Sequence, residues 1–379
     1  MKIGIIGNYG HDNNGDEAIL KGILTILSER YGMEREDLVI FSNHPENTYE
    51  RYGIRSEYLI QKKSNIFSTI VATLQSRRQI VKGLDVLIFG GGGILMDMYK
   101  RDMPLYSSLA ITGKIHGCKI AIFGVGAGPI RTKVGATLIK LMIRSSSSIS
   151  VRDRESCELL KNLNAHKDIP IIGDPAFYLK PKSEKMQTNE IKRIGVTAVP
   201  YFSKEYWPTP DEAKYQAYVK GMAANLDELT SNNRVEVTFF STKYPQDVKV
   251  TEDIFNEMKE KDHVNIMREN IYPEKIIELC EQQDVIIGTR LHSLILSVAS
   301  STPVIGIGYH KKVKNFMKQI DREDLYIDIE TLSQPDVIST RLHALQQDWE
   351  KSQKEFMQLS TMQLKKAEKG FLQLDQIIR

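Results

Sequence analysis

The sequence predicts an α/β chain of two Rossmann-like domains facing a cleft, with amphipathic helices at its C-terminal end. Three observations predict it. Short apolar runs alternate with helical patterns along most of the chain. A polar stretch at 180–192 interrupts that alternation near the middle. The 379 residues, 41% of them hydrophobic, exceed one ordinary core and suit two domains.

In chain order, residues 2–7, 38–42, 85–89, 119–125, 148–151 and 169–173 read as parallel strands buried on both faces. A helix from Asp16 repeats apolar residues at Ile19, Ile23, Leu24, Ile26 and Leu27. The run 180–192 is the linker candidate. A second series follows, with strands at 193–199, 234–241, 264–267, 284–288 and 303–308 and helices at 213–230, 248–261, 273–282 and 290–299. From about 336, Leu342, Leu345, Trp349, Phe356 and Leu359 recur at helical spacing. The expected domains are therefore 1–180, 190–335 and a helical tail, 336–379, packing back on the first lobe. Two such halves suggest a GT-B-like architecture, in which ligands bind beyond the carboxyl ends of the strands.

Composition narrows the function. Lys and Arg total 51 against 48 Asp and Glu, a net charge of +3, so no basic stripe points to nucleic acid. Local runs are more uneven. Residues 131–144 hold Arg131, Lys133, Lys140 and Arg144 without an acid, and "KKVKNFMK" (311–318) has four cations and none. These suit a solvated helix face, or attraction for an anionic substrate or a lipid surface. Three scattered cysteines, with no CxxC, argue against a disulfide framework and a cysteine zinc site. The N-terminal apolar run is too short for a signal, and no uncharged run reaches membrane-span length. A reduced, cytoplasmic enzyme is the expectation, at the inner face of the membrane if it touches lipid.

The strand ends carry the candidate chemistry. "GNYGHDNNGDEAIL" is a glycine-containing loop before a helix, but neither GxGxxG nor a Walker motif. Asp16 suits an N-cap, and acids there oppose a phosphate. Asn8, Asp12, Asn14 and Asp16 fit a hydroxyl-rich ligand better; a capped surface loop is the plain alternative. In "DVLIFGGGGILMD", four glycines follow a buried strand. Gly91 and Gly92 let backbone N–H groups approach a ligand, and Asp97 could accept from a sugar hydroxyl. Arg152 follows a small strand in "SSISVRDRES", as an anion fork or as the partner of Asp153 or Asp174.

The densest signal is "DVIIGTRLHSLILSVASSTPVIGIGYH". A strand ends at Gly288, Thr289 can cap a helix beginning near Arg290, and Arg290 and His292 stand in its first turn. A helix N-terminus already attracts anions; Arg290 adds donors, and His292 can carry a proton near neutral pH. The histidines show no metal-ligand spacing, and there is no GxSxG elbow.

Together "GNYGHDNNGDEAI", "FGGGGILMD", "SVRDRES", "GDPAFYL" and "GTRLHSLILSVASSTPVIGIGYHKKVKNF" resemble the bacterial polysaccharide pyruvyl transferase family, in the same order over most of the chain. The resemblance implies a GT-B-like fold. It also implies transfer of pyruvate from phosphoenolpyruvate, a co-substrate rather than a cofactor, onto a sugar of a cell-surface polysaccharide precursor as a cyclic ketal. Residue by residue it implies Arg152, Arg290 and Leu291 as phosphoenolpyruvate-binding positions and His292 as general acid/base. Many relatives carry a Tyr-Asp-Pro-Lys-like segment where this chain has "YHKKV", so His310 replaces an acid. The expected partners are phosphoenolpyruvate and a lipid- or nucleotide-linked saccharide, with peripheral membrane contact and a homo-oligomer both open. A nucleotide-sugar glycosyltransferase and a non-catalytic module are the competing readings; "PVIGIGYHKKV" lacks the Glu that the first usually places near its last strand.

Overall fold

Six runs rich in Val, Ile, Leu and Phe form the first sheet: β1 (Ile3–Ile6), β2 (Leu38–Ser42), β3 (Ser56–Tyr58), β4 (Val86–Gly90), β5 (Lys119–Val125) and β6 (Ser148–Val151). All pair in parallel, in the order β3-β2-β1-β4-β5-β6. That order has its switch point beside β1, where ligands bind in doubly wound folds. The helices of this half are α1 (Asn14–Tyr31), α2 (Pro45–Tyr52), α3 (Ile66–Val81), α4 (Asp102–Ile115), α5 (Lys133–Ser145) and α6 (Arg154–Asn162). The core gathers Ile6, Phe41, Leu87, Phe89, Ile122 and Ile139, none more than marginally exposed. Polar starts define the helices: Asn65 accepts from Ser68 N, Thr132 from Gly135 N and Asp153 from Ser156 N.

The second sheet repeats the pattern. It contains β7 (Arg193–Thr197), β8 (Glu236–Phe239), β9 (Val264–Ile266), β10 (Val285–Gly288), β11 (Val304–Gly308) and β12 (Tyr326–Asp328), again all parallel, in the order β12-β11-β10-β7-β8-β9. Its helices are α7 (Glu212–Asn233), α8 (Gln246–Glu257), α9 (Pro273–Gln282), α10 (Leu291–Ala299) and α11 (Lys311–Gln319). The chain ends in α12 (Val337–Gln346), α13 (Trp349–Glu368) and α14 (Phe371–Ile378).

This computed structural model describes residues 1–379 except 100, 164–167, 184 and 234. Glu184 of the expected linker and Arg234 at the start of an expected strand therefore lie outside the described residues. Contacts divide the chain into two compact units. One holds 1–11, 16–178 and 363–379; the other holds 12–15 and 179–362. The α/β class with C-terminal helices is as expected.

Three local expectations need correction. Residues 169–173 are no strand; they make one isolated bridge, Val151 with Ile171. Pro170 there has no N–H to extend a ladder. Two strands were missed, β3 and β12, each three residues long and at a sheet edge, where burial leaves little apolar signal. Thr289 does not cap α10. Its hydroxyl donates to the Thr197 carbonyl at 2.9 Å, and Arg290 occupies the N-cap without a side-chain cap bond.

Candidate active site

In the second unit the candidates gather at the carboxyl ends of β7, β8 and β10. The apolar run of β10 stops at Gly288, Thr289 is tied to β7, and Arg290 opens α10. Ser293 seals the turn, donating its hydroxyl to the Arg290 carbonyl at 2.6 Å. Leu291 and His292 are the first two helical residues, both half-buried, where a helix directs N–H groups outward.

Arg290 is held rather than loose. Its Nη2 donates to Asp247 Oδ1 at 2.5 Å, its Nε to Oδ2 at 3.3 Å and its Nη1 to the Tyr206 hydroxyl at 3.2 Å. Asp247 is fully buried and also accepts from the Lys243 N–H. Burial would pull the Arg290 guanidinium down; Asp247, with Tyr309 and Tyr206 beside it, outweighs this and holds it above its ordinary value. The planar fork has five N–H donors; three are committed to Asp247 and Tyr206, and Tyr309 lies against it as a further hydrogen-bond partner.

Tyr206 links two cations. Lys243 Nζ donates to the same hydroxyl at 3.3 Å and lies over the ring, 4.7 Å from its centroid; Arg290 is 5.2 Å from it. Burial would raise the phenol, but Arg290 and Lys243 outweigh it and bring its pKa below the ordinary value. The Phe202 and Trp207 rings stack beside this group at 5.0 Å, and Trp207 meets Tyr309 edge-on at 5.6 Å.

The segment 12–15 joins this unit. Asn13 bridges to Lys243, Asn14 N donates to the Thr242 carbonyl at 2.8 Å, and Asp12 accepts from Asn270 Nδ2 at 3.0 Å. Gly15 lies against the His292 ring; a Cβ there would stand 2.3 Å from Nδ1. Asp12, Asn14, Arg290, Leu291 and His292 thus belong to one unit, together with Lys243 and Asp247.

The first unit holds the rest. Asn8 donates to Asp16 at 3.0 Å, and Asp16 lies so close to Gly92 that a Cβ there would stand 2.4 Å from Oδ1. Gly91 and Gly92 both have positive φ, which explains glycine at these positions. Arg152 is buried beside Gly126, and its Nη1 donates to Asp174 at 2.7 Å. Asp97 stands apart from this group: its carboxylate accepts from Arg131 N, Thr132 N and the Thr132 hydroxyl at 2.6–2.7 Å, anchoring the turn before α5.

Sequence reasoning missed Tyr206, Lys243 and Asp247. The signal was available, since "STKYPQD" follows a strand and strand ends were the places to look. His310 also gains a task. Its Nδ1 accepts from Lys312 N at 3.3 Å, capping α11, and burial with Lys312 and Lys311 lowers its pKa.

The model of the family described as polysaccharide pyruvyl transferase matches residues 13–311. The chain is 22% identical over 391 residues to the amylovoran biosynthesis protein AmsJ of Erwinia amylovora, covering 89% of this chain and 91% of that one. Among solved structures it resembles Anabaena Alr3699/HepE in complex with UDP-glucose, with TM-score 0.62, 10% identity and coverage of 99% and 100%. It also resembles the UDP-GlcNAc 2-epimerase of Methanocaldococcus jannaschii, with TM-score 0.55, 11% identity and coverage of 88% and 90%. These two likenesses establish a shared GT-B fold and no more. The family match covers most of the chain, including strands of both sheets and the turn carrying Arg290 and His292, and on that ground the chain belongs to the polysaccharide pyruvyl transferase family.

Proposed function

We propose that the protein transfers pyruvate from phosphoenolpyruvate to two hydroxyls of a saccharide, forming a cyclic ketal and releasing phosphate. The observation that supports it most is the Arg290 fork, clamped by Asp247 at the start of α10, beside Tyr206 and Lys243. Phosphoenolpyruvate carries a carboxylate and a phosphate. A clamped guanidinium, an ammonium and a helix N-terminus are suited to hold such a pair of anions. Arg152 is a further proposed anion partner, and Leu291 offers its backbone N–H.

The chemistry needs a proton carrier. The enol methylene gains a proton and becomes a methyl group while one sugar hydroxyl adds to the adjacent carbon. The carbon–oxygen bond to phosphate then breaks, and the second hydroxyl closes the ring. Two hydroxyl protons are released; one replaces that delivered to the methylene, and the other leaves with phosphate. We assign the proton transfers to His292, a role typically worth ~10²–10⁴-fold. The acceptor contacts are proposed to come from Asn8, Asp12, Asn14, Asp16, Gly91 and Gly92. Asp97, whose carboxylate also anchors the turn before α5, is the remaining proposed acceptor contact. No resident cofactor is assigned.

The test is an incubation with phosphoenolpyruvate and a lipid- or nucleotide-linked saccharide. Phosphate release with an acceptor mass gain of pyruvate minus water is the expected result. Sugar transfer from a nucleotide-sugar donor, with phosphoenolpyruvate untouched, would overturn it in favour of glycosyl transfer.

A further inference from the structure

Helix α3 buries Val81 at its C-terminal end, but along its middle it buries polar side chains and exposes apolar ones. Its buried residues include Thr73 and Arg77, while Ile70, Val71 and Leu74 are 52%, 37% and 45% exposed. The buried side is held by polar contacts. Arg77 donates to the Leu59 and Leu105 carbonyls and to the Ser108 hydroxyl, and the Thr73 hydroxyl accepts from Gln61 N. A helix on a globular surface ordinarily turns its apolar stripe to the core. Here Ile70 and Leu74, one turn apart, share with Val71 a face that is substantially exposed.

The charge around this face is one-sided. Residues 61–83 contain Lys62, Lys63, Arg77, Arg78 and Lys82 and no Asp or Glu. All but Arg77 are exposed. Helix α3 packs on α4 and α4 on α5, the helix of the second acid-free run. The first turn of α5 exposes Val134 at 67%, directly after exposed Arg131 and Lys133. Exposed apolar side chains on a helix whose own segment carries cations and no acid are the pattern of a helix lying in a bilayer interface, where the cations meet anionic headgroups and the apolar chains enter the acyl boundary. No helix among the described residues is long and apolar enough to cross a membrane, so this contact is peripheral.

We propose that the exposed face of α3, extended by the start of α5, docks the protein on an anionic lipid bilayer. The one-sided charge favours a lipid surface over an acidic protein partner or a second copy of this cationic face, which it would repel. The proposal rests on no part of the pyruvyl-transfer reading, and its test contains no substrate.

The test is co-sedimentation with vesicles of phosphatidylglycerol and phosphatidylethanolamine, against vesicles of phosphatidylcholine alone. The purified chain is expected to sediment with the anionic vesicles, and less so as salt rises. Ile70→Asp with Leu74→Asp removes the insertion, and Lys63→Glu with Arg78→Glu reverses the charge; each pair is expected to lower partitioning on the order of tenfold or more. Both pairs lie on the exposed side, and circular dichroism checks that they fold. Three results would overturn the proposal: wild type left in the supernatant with anionic vesicles, both folded variants binding as well as wild type, or a wild-type dimer that the Asp pair dissociates and that binds no vesicle.

Discussion

Gly15 and His292 are packed so closely that a single methyl group at position 15 would stand 2.3 Å from the imidazole Nδ1. Gly15 lies in the first turn of α1 and its φ is not positive. Its small size is therefore explained by its neighbour. In a helix, Gly→Ala ordinarily gains about 1 kcal/mol; here the clash opposes that gain. Gly15→Ala is expected to move the His292 ring and cut turnover by ~10–100-fold, the scale of a catalytic group displaced by about 1 Å. Phosphate release measures it, and an unchanged circular dichroism spectrum confirms the fold. In a His292→Ala background the same substitution should cost almost nothing more.

The Arg290–Asp247 pair makes a stability prediction of definite sign. Asp247 is fully buried and Arg290 nearly so. Removing one partner leaves the other buried without compensation, at ~3–5 kcal/mol. Asp247→Asn keeps the shape, so its cost should fall at the lower end and show as a reduced urea midpoint. Arg290→Met together with Asp247→Leu should recover part of that stability while phosphoenolpyruvate binding, by calorimetry, stays lost. Arg290→Lys should weaken binding as well, because an ammonium cannot reproduce the fork.

Tyr206 predicts a pH dependence at the alkaline end. Its pKa lies below the ordinary phenol value. As a neutral phenol it accepts from Arg290 and Lys243 and keeps its own O–H for an anion; as a phenolate it neutralises a cation and repels the ligand. Affinity for phosphoenolpyruvate should therefore fall as pH rises through that lowered pKa, before a free phenol would ionise. Tyr206→Phe should bind several-fold more weakly near neutrality, as expected for one lost hydrogen bond, and should lose that alkaline step. A wild-type profile matching that of Tyr206→Phe would count against the assignment.

What the sequence made legible, and what it hid, has a physical pattern. Central strands such as β1, β4, β5, β10 and β11 are buried on both faces and announce themselves as apolar runs. The edge strands β3 and β12 need no such run and were missed. Arg290 and His292 stood out because charge at the end of an apolar strand demands a reason. Asp247 did not, because its reason is tertiary: 43 residues separate it from the guanidinium it clamps. Gly15 gives no local sign of its role, since a close approach of the distant His292 leaves no mark in its own stretch. The anchoring of the 131–132 turn by Asp97 is likewise tertiary, since its three donors lie more than thirty residues on. Local chemistry was visible; its long-range partners were not.

His310 supplies the last prediction. Its Nδ1 must be unprotonated to accept from Lys312 N, and burial with the two following lysines lowers its pKa. A histidine whose folded pKa is depressed contributes stability that is present above its unfolded pKa, ~6.5, and is lost as pH falls through the folded value. Protonation removes the acceptor, adds a cation at the positive end of α11 and places it beside Lys311 and Lys312. His310→Asn keeps a capping acceptor without a titrating group, so its urea midpoint should change little between pH 7.5 and pH 5 where that of wild type falls. His310→Ala should be weaker than wild type by about 1 kcal/mol at pH 7.5, the usual worth of an N-cap. At pH 5 the gap between the two should narrow, because wild type has by then lost the same bond.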